Sequence, residues 1–281
     1  MTEPDSPSSQ QPRSRQRWFG DLRLALMLLT RLPLPRGAAS AGTVARAAWI
    51  FPVIGMLVGL GSGVVFMVAN RIGLGISSAA VLAIAWQVLI TGALHEDGLA
   101  DTADGFGGGH DRERKLAIMR DSRIGTYGVV ALLVIFGLRF SALQELASNL
   151  LSVTDEMDDT VSHTSAIIIA LVVSGAVSRA AMAFVWYLLP PARSDGLAAG
   201  SGNVPLASAI VGLAIACGVS IVLLPGFTFA VVLGSVALFS LAMAALAWRQ
   251  IGGHTGDVLG ATQQVTEVAA LLAIGAMTMA V

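Results

Sequence analysis

Apolar residues fall into seven runs of about 20, the length a bilayer core demands, at 47–69, 76–95, 124–147, 164–189, 207–224, 227–247 and 264–281. This pattern predicts an all-α protein, a polytopic membrane helix bundle of about seven transmembrane helices. A shorter apolar stretch from Leu22 to Leu32 is interrupted by Arg23 and Arg31 and stopped by Pro33 and Pro35, so it reads as an N-terminal interfacial helix, with a re-entrant hairpin as the alternative. Residues 1–16, rich in Ser, Pro, Gln and Arg, are expected to be disordered and are too polar for a signal peptide. The first span is then expected to direct insertion, and 17–281 to form a single integral membrane domain with no internal repeat.

Composition agrees with the pattern. The 281 residues are 55% hydrophobic and only 12% charged, a balance that soluble domains do not show. A net charge of -1 gives no global attraction to nucleic acid. The single cysteine, Cys217, lies in an apolar run and is expected to act as a small buried residue. Sidedness follows from the basic residues, which collect in cytoplasmic loops. Arg13, Arg15, Arg17, Arg23, Arg31, Arg36 and Arg46 precede the first span, Arg112, Arg114, Lys115, Arg120 and Arg123 lie between the second and third, and Arg193 and Arg249 fall in the next two loops on that side. The opposite side receives only Arg71, and its loop with Asp155, Glu156, Asp158 and Asp159 has no basic residue. The expected arrangement is a multi-pass protein of the plasma (inner) membrane, with a cytoplasmic N-terminus and the C-terminus outside. The segments 96–123, 190–206 and 249–263, which hold the chemistry, then all face the cytoplasm.

Asp97, Asp101 and Asp104 close an apolar run and open onto Gly105, Gly107, Gly108 and Gly109. On a helix turning about 100° per residue, the spacings +4 and +7 keep all three carboxylates within an arc of roughly 60°. So many like charges need a cation among them, and a hard oxygen-seeking ion such as Mg2+ is the expected one. A solvated helix end is the alternative. The glycines give a backbone able to approach a phosphate and aim its N–H groups at it, although a flexible connection looks similar. Asp111 reads as the cap of a short basic helix that follows.

Further charges gather at the same boundary. Arg123 is placed to grip a phosphate in bidentate fashion, with Asp121 to orient it or bind metal; a plain membrane anchor is the alternative for Arg123. Arg179 lies near the middle of the fourth apolar run, where a charge is costly unless it faces a polar interior, and is expected to line the site. Arg139 is nearer the outer end of its run and is expected to snorkel. Arg193 with Asp195 and Gly196, and Asp257 after Gly252, Gly253 and Gly256, repeat the pattern of glycine beside charge; Asp257 is a candidate further carboxylate, and His254 is expected at the surface. No Ser/His/Asp arrangement, paired cysteines or dinucleotide fingerprint occurs. Metal-assisted phosphoryl transfer is the chemistry these residue types suit.

The run Thr91-Gly92-Ala93-Leu94-His95-Glu96-Asp97-Gly98-Leu99-Ala100-Asp101-Thr102-Ala103-Asp104-Gly105-Phe106-Gly107-Gly108-Gly109, continuing through Asp111-Arg112-Glu113-Arg114 to Arg120-Asp121-Ser122-Arg123-Ile124-Gly125, closely resembles the signature of the cobalamin synthase family, the adenosylcobinamide-GDP ribazoletransferases. The similarity extends to Phe51-Pro52 with Gly55, Ser178-Arg179, Ala192-Arg193 with Asp195-Gly196, and Gly252-Gly253 with Thr255-Gly256-Asp257. Glu96, where the family commonly has an apolar residue, and the acidic outer loop are departures. The resemblance implies the last assembly step of coenzyme B12: adenosylcobinamide-GDP plus alpha-ribazole, or its 5′-phosphate, giving adenosylcobalamin or its phosphate and GMP, with Mg2+ required. On that reading Asp97, Asp101 and Asp104 hold the metal, Asp104 accepts the hydroxyl proton, and Arg123 and Arg179 stabilise the transition-state charge. Membrane lipid is the expected surround, and association into a homo-oligomer is left open.

Two rivals remain at this stage. A CDP-alcohol phosphotransferase of lipid synthesis also sets aspartates at a membrane boundary, but its Ala-Arg pair after Asp-Gly is missing, since Asp97-Gly98 is followed by Leu99-Ala100-Asp101. A cation transporter would place acids near the bilayer midplane, whereas the mid-span charges expected here are arginines alone.

Overall fold

The computed structural model describes residues 14–34, 42–153, 160–196 and 200–278. Eleven helices are used below: α1 (Ser14–Leu29), α2 (Val44–Ala47), α3 (Phe51–Arg71), α4 (Gly75–Thr91), α5 (Leu94–Gly108), α6 (Arg112–Ile118), α7 (Thr126–Val153), α8 (Thr160–Leu188), α9 (Leu206–Leu223), α10 (Thr228–Ile251) and α11 (Gly256–Thr278). No strand occurs among the described residues, only an isolated parallel bridge between Pro191 and His254. The chain is therefore all-α. Six helices are long and apolar enough to cross a membrane, and α4 with α5 makes a seventh when the bent pair is taken as one span. It is a multi-pass membrane protein.

Glycine decides which helices meet. Gly55, Gly59 and Gly63 recur every fourth residue along one face of α3, so that face has no side chains to hold a neighbour away. A Cβ at Gly55 would overlap the Gly175 carbonyl of α8, and one at Gly59 the Leu171 carbonyl. Backbone contact of this kind lets dispersion hold the helices together where lipid removes the hydrophobic drive. Helices α8 and α11 are the most enclosed of the candidate spans, while α7, α9 and α10 present broad apolar faces outward.

Three differences from the sequence expectation bear on the site. The N-terminal helix begins at Ser14 rather than near Leu22; residues 1–13, most of the segment expected to be disordered, lie outside the described residues, as does the acidic loop at 154–159. The second apolar run does not continue to 95: it breaks after Thr91 and turns by 89° into α5. The last helix starts at Gly256, eight residues before the expected 264. Its first half holds Thr262, Gln263, Gln264, Thr266 and Glu267, all buried, and hydropathy alone reads such a polar but enclosed stretch as loop.

Candidate active site

The break between α4 and α5 aims the acidic helix. Gly92 and Ala93 both take the left-handed conformation, at φ 65° and 58°. Glycine does so freely, but an alanine there costs roughly 1–2 kcal/mol. Ala93 is the only non-glycine with positive φ among the described residues. Past this bend α5 crosses α11 at two glycines. A Cβ on Gly98 would lie 2.8 Å from the Asp257 carbonyl oxygen, and one on Gly260 would lie 3.3 Å from the His95 Cα.

That crossing sets α5's acids beside the first turn of α11. Asp97 and Asp257 are, with Asp104, the carboxylates close enough to act on Asp101, and Arg193 is the positive charge opposing them. Arg193 Nη2 lies 3.4 Å from Asp257 Oδ2, and its Nη1 is buried with no partner among the described residues. Asp97 is exposed and Asp101 half-buried. Among the described residues no three His, Cys, Asp or Glu side chains stand close enough to hold a metal unaided. Mg2+ commonly takes only one or two carboxylates and completes its shell with water and substrate phosphates, so any one or two of Asp97, Asp101 and Asp257 suit it.

The loop carrying Arg193 is stitched down on three sides. Ala192 N donates to the His254 carbonyl at 2.8 Å and His254 N to the Pro190 carbonyl at 2.9 Å. Gly253 is needed there because a side chain would overlap the Pro190 carbonyl. Arg112, at the start of α6, donates to the Ile251 carbonyl at 2.8 Å and also to that of Ala192, and Arg120 grips both oxygens of Asp195 at 2.6 and 2.7 Å. The three segments expected to share one face of the membrane thus meet at one end of the bundle.

Several expected site residues do other work. Asp104 is buried, and its two oxygens accept from Gly125 N at 2.6 Å and Gly128 N at 2.9 Å; it holds the start of α7, where unpaired N–H groups favour a carboxylate. Gly105, Gly107 and Gly108 are not a loop but the last turns of α5. Their missing side chains admit Met119 at Gly105 and the Tyr127 ring at Gly107, while Gly109 admits Lys115. Their N–H groups follow the helix, so no phosphate cradle forms from them. Asp111 caps α6 as expected, accepting from Arg114 N at 2.8 Å. Arg123 is exposed and bound to Asp121 at 2.6 Å, and its hydrogen bonds hold the Asp121 carboxyl down at about 2.

Arg179 does not reach the cavity described below. It pairs with Glu267 of α11, as does Arg139 at 2.8 Å, and Arg139 also lies 3.4 Å from Glu96. Gln264 Nε2 donates to Glu96 at 2.9 Å, and Gln263 donates to Glu267. Arg139 is therefore fully enclosed and does not snorkel. Glu267 was missed because the expected span began at 264, which put it near an end; with α11 starting at Gly256 it lies mid-helix. Its presence there removes the argument that mid-span charges are arginines alone, though both acids are spent on guanidinium partners.

Between α1, α3, α5, α8 and α11 lies a cavity of about 240 Å³. Leu28, Leu29, Phe51, Met182 and Leu259 give it apolar walls; Asp97, Asp257 and Arg193 edge it; and His95, Trp186 and His254 supply polar atoms. His254, expected at the surface, is 1% exposed, and both its ring nitrogens lack a partner among the described residues. Burial pushes its pKa down to about 4. The nearby ion network acts on His95 electrostatically.

Fold and site together define a polytopic, all-helical membrane enzyme in which acidic and guanidinium groups meet over one cavity. Comparison with known proteins narrows this class. Residues 21–275 match the family model described as cobalamin-5-phosphate synthase, and the chain belongs to that family. It is 46% identical to an adenosylcobinamide-GDP ribazoletransferase of Bradyrhizobium diazoefficiens over 93% of this chain and 95% of that protein. Relatives of the same name from Mesorhizobium japonicum, 46% identical over 90% of this chain and 91% of theirs, and Sinorhizobium medicae, 43% identical over 94% and 98%, agree. No solved structure matches the chain.

Proposed function

We propose that the protein transfers adenosylcobinamide phosphate from adenosylcobinamide-GDP to alpha-ribazole or its 5′-phosphate, releasing GMP, at the cytoplasmic face of the inner membrane. The observation that carries the reading is the convergence of Asp257 and Arg193 on the acids of α5 at the edge of one cavity. Family membership and the names of the relatives support the substrates.

Mg2+, held by one or two of Asp97, Asp101 and Asp257, would supply charge neutralisation on the diphosphate oxygens. The protein's own groups do the rest. Arg193, whose Nη1 has no partner among the described residues, donates to a phosphate oxygen and meets the charge that grows as the bond to GMP lengthens. A ribazole hydroxyl attacks the cobinamide-side phosphorus, the P–O bond to GMP breaks, and a carboxylate of the α5–α11 group takes the hydroxyl proton. Asp104 is better cast as the anchor of α7, both its oxygens being occupied. Basic residues crowd the site's end of the bundle, as a cytoplasmic face requires.

The test is purified protein in detergent with adenosylcobinamide-GDP, alpha-ribazole and Mg2+, following GMP and the base-on corrinoid by absorbance. Turnover that ceases with chelator and returns with Mg2+ supports the proposal. No product under any metal condition ends it.

A further inference from the structure

Trp186 and His254 form adjoining walls of the cavity, their ring centroids 6.1 Å apart and inclined at 59°. Both are fully enclosed, and Trp186 Nε1 has no acceptor among the described residues. An indole N–H can only donate, and leaving it unpaired in a buried place is costly. Something bound in the cavity is the natural acceptor. The remaining lining sets the side chains of Leu28, Leu29, Phe51, Met182 and Leu259 against His95, Thr255, the acids and Arg193.

These features select among the pieces of the substrates. Whole ligands need pockets of roughly 300–1,000 Å³, so a cavity of about 240 Å³ takes a fragment and leaves a corrin ring outside. A guanine would bring more edge donors and acceptors than the ring nitrogens of His95, Trp186 and His254 can meet, and each unmet group is costly. A flat bicyclic base of the benzimidazole type brings apolar faces and one ring-nitrogen lone pair, which the Trp186 N–H matches. Its ribose would then emerge beside Asp97, Asp257 and Arg193.

We propose, resting on the function above, that this cavity is the seat of the acceptor nucleoside's base, with Trp186 Nε1–H donating to the base's ring nitrogen and the His254 ring closing the neighbouring wall. The cavity thereby selects apolar bicyclic bases and places the sugar hydroxyl at the acids.

The experiment uses the full-length protein in two arms. In the first, Trp186→Phe keeps the ring and removes the donor. The KM for alpha-ribazole should rise about tenfold, with the KM for adenosylcobinamide-GDP within twofold of wild type. A rise confined to the nucleotide substrate assigns the cavity to guanine, and no change in either KM empties the assignment; both overturn the proposal. In the second arm, wild-type protein is photolabelled with an azidobenzimidazole riboside. Label in the peptides bearing Trp186 or His254, displaced by alpha-ribazole and not by GMP, supports the proposal even if the variant fails to fold. Label elsewhere overturns it. Wild-type turnover, measured alongside, judges the function separately from the placement of the base.

Discussion

Gly98 lies against the backbone of Asp257 so closely that a methyl group on it would come within 2.8 Å of the Asp257 carbonyl oxygen. Overpacking of this kind typically costs 1–3 kcal/mol, and here it would push α11's first turn away from Asp97 and Asp101. Gly98→Ala should lower kcat/KM on the order of a hundredfold, with a fall in thermal midpoint. Gly137→Ala is the control, since nothing lies within 4 Å of a Cβ there, and it should behave as wild type. A Gly98→Ala enzyme of normal activity would show that this crossing does not set the site.

Asp104 and Asp101 sit one helical turn apart yet should separate cleanly. Asp104→Ala strips an acceptor from two backbone N–H groups at α7, and the expected loss is about 1–3 kcal/mol. The milder Asp104→Asn keeps one acceptor oxygen and should leave the Mg2+ concentration for half-maximal rate nearly unchanged. Asp101→Asn should raise that concentration on the order of tenfold with little change in melting. Titrating Mg2+ against initial GMP release distinguishes the two.

Glu267 is shared by Arg139 and Arg179. Glu267→Gln leaves two enclosed guanidinium groups with no full counter-charge apart from Glu96, and breaking a buried pair in this way costs about 3–5 kcal/mol. The double variant Glu267→Gln with Arg139→Leu should recover part of the loss, because fewer charges are stranded. Thermal unfolding in detergent measures both, and a Glu267→Gln protein as stable as wild type would contradict the assignment.

His254 gives the protein an acid limit. Its folded pKa of about 4 lies below the ordinary value of 6.5, so between the two the unfolded chain binds a proton that the folded one refuses. Stability is complete above pH 6.5, declines as pH falls, and levels off below about 4. The total is on the order of 3 kcal/mol. His254→Phe should flatten that part of the curve of melting temperature against pH, and an unchanged curve would assign the acid limit elsewhere.

Much of this was legible in the chain. Apolar runs of bilayer length gave the helices, and Asp97, Asp101, Arg193 and Asp257 were readable as carboxylates and a guanidinium beside glycine at one boundary. What escaped had physical causes. The glycines from 105 to 108 look like a loop in one dimension, because only the folded chain shows Met119 and Tyr127 pressed against them. His254 looks exposed because its neighbours are glycines, whereas the enclosure comes from the Pro190–Ala192 strand of loop paired to it. Glu267 and Arg139 each look misplaced alone, and only their pairing makes either tolerable.

Helix α11 carries Asp257 in its first turn and Glu267 ten residues deeper, about 15 Å along the axis. It is the least apolar of the six candidate spans, and its polar residues are costly to leave facing lipid. Its Glu267 is neutralised by Arg139 of α7 and Arg179 of α8. The helix that brings Asp257 to the acids of α5 is thus also the one whose enclosed charge depends on its neighbours, so the candidate site and the ion network inside the bundle are built on a single element.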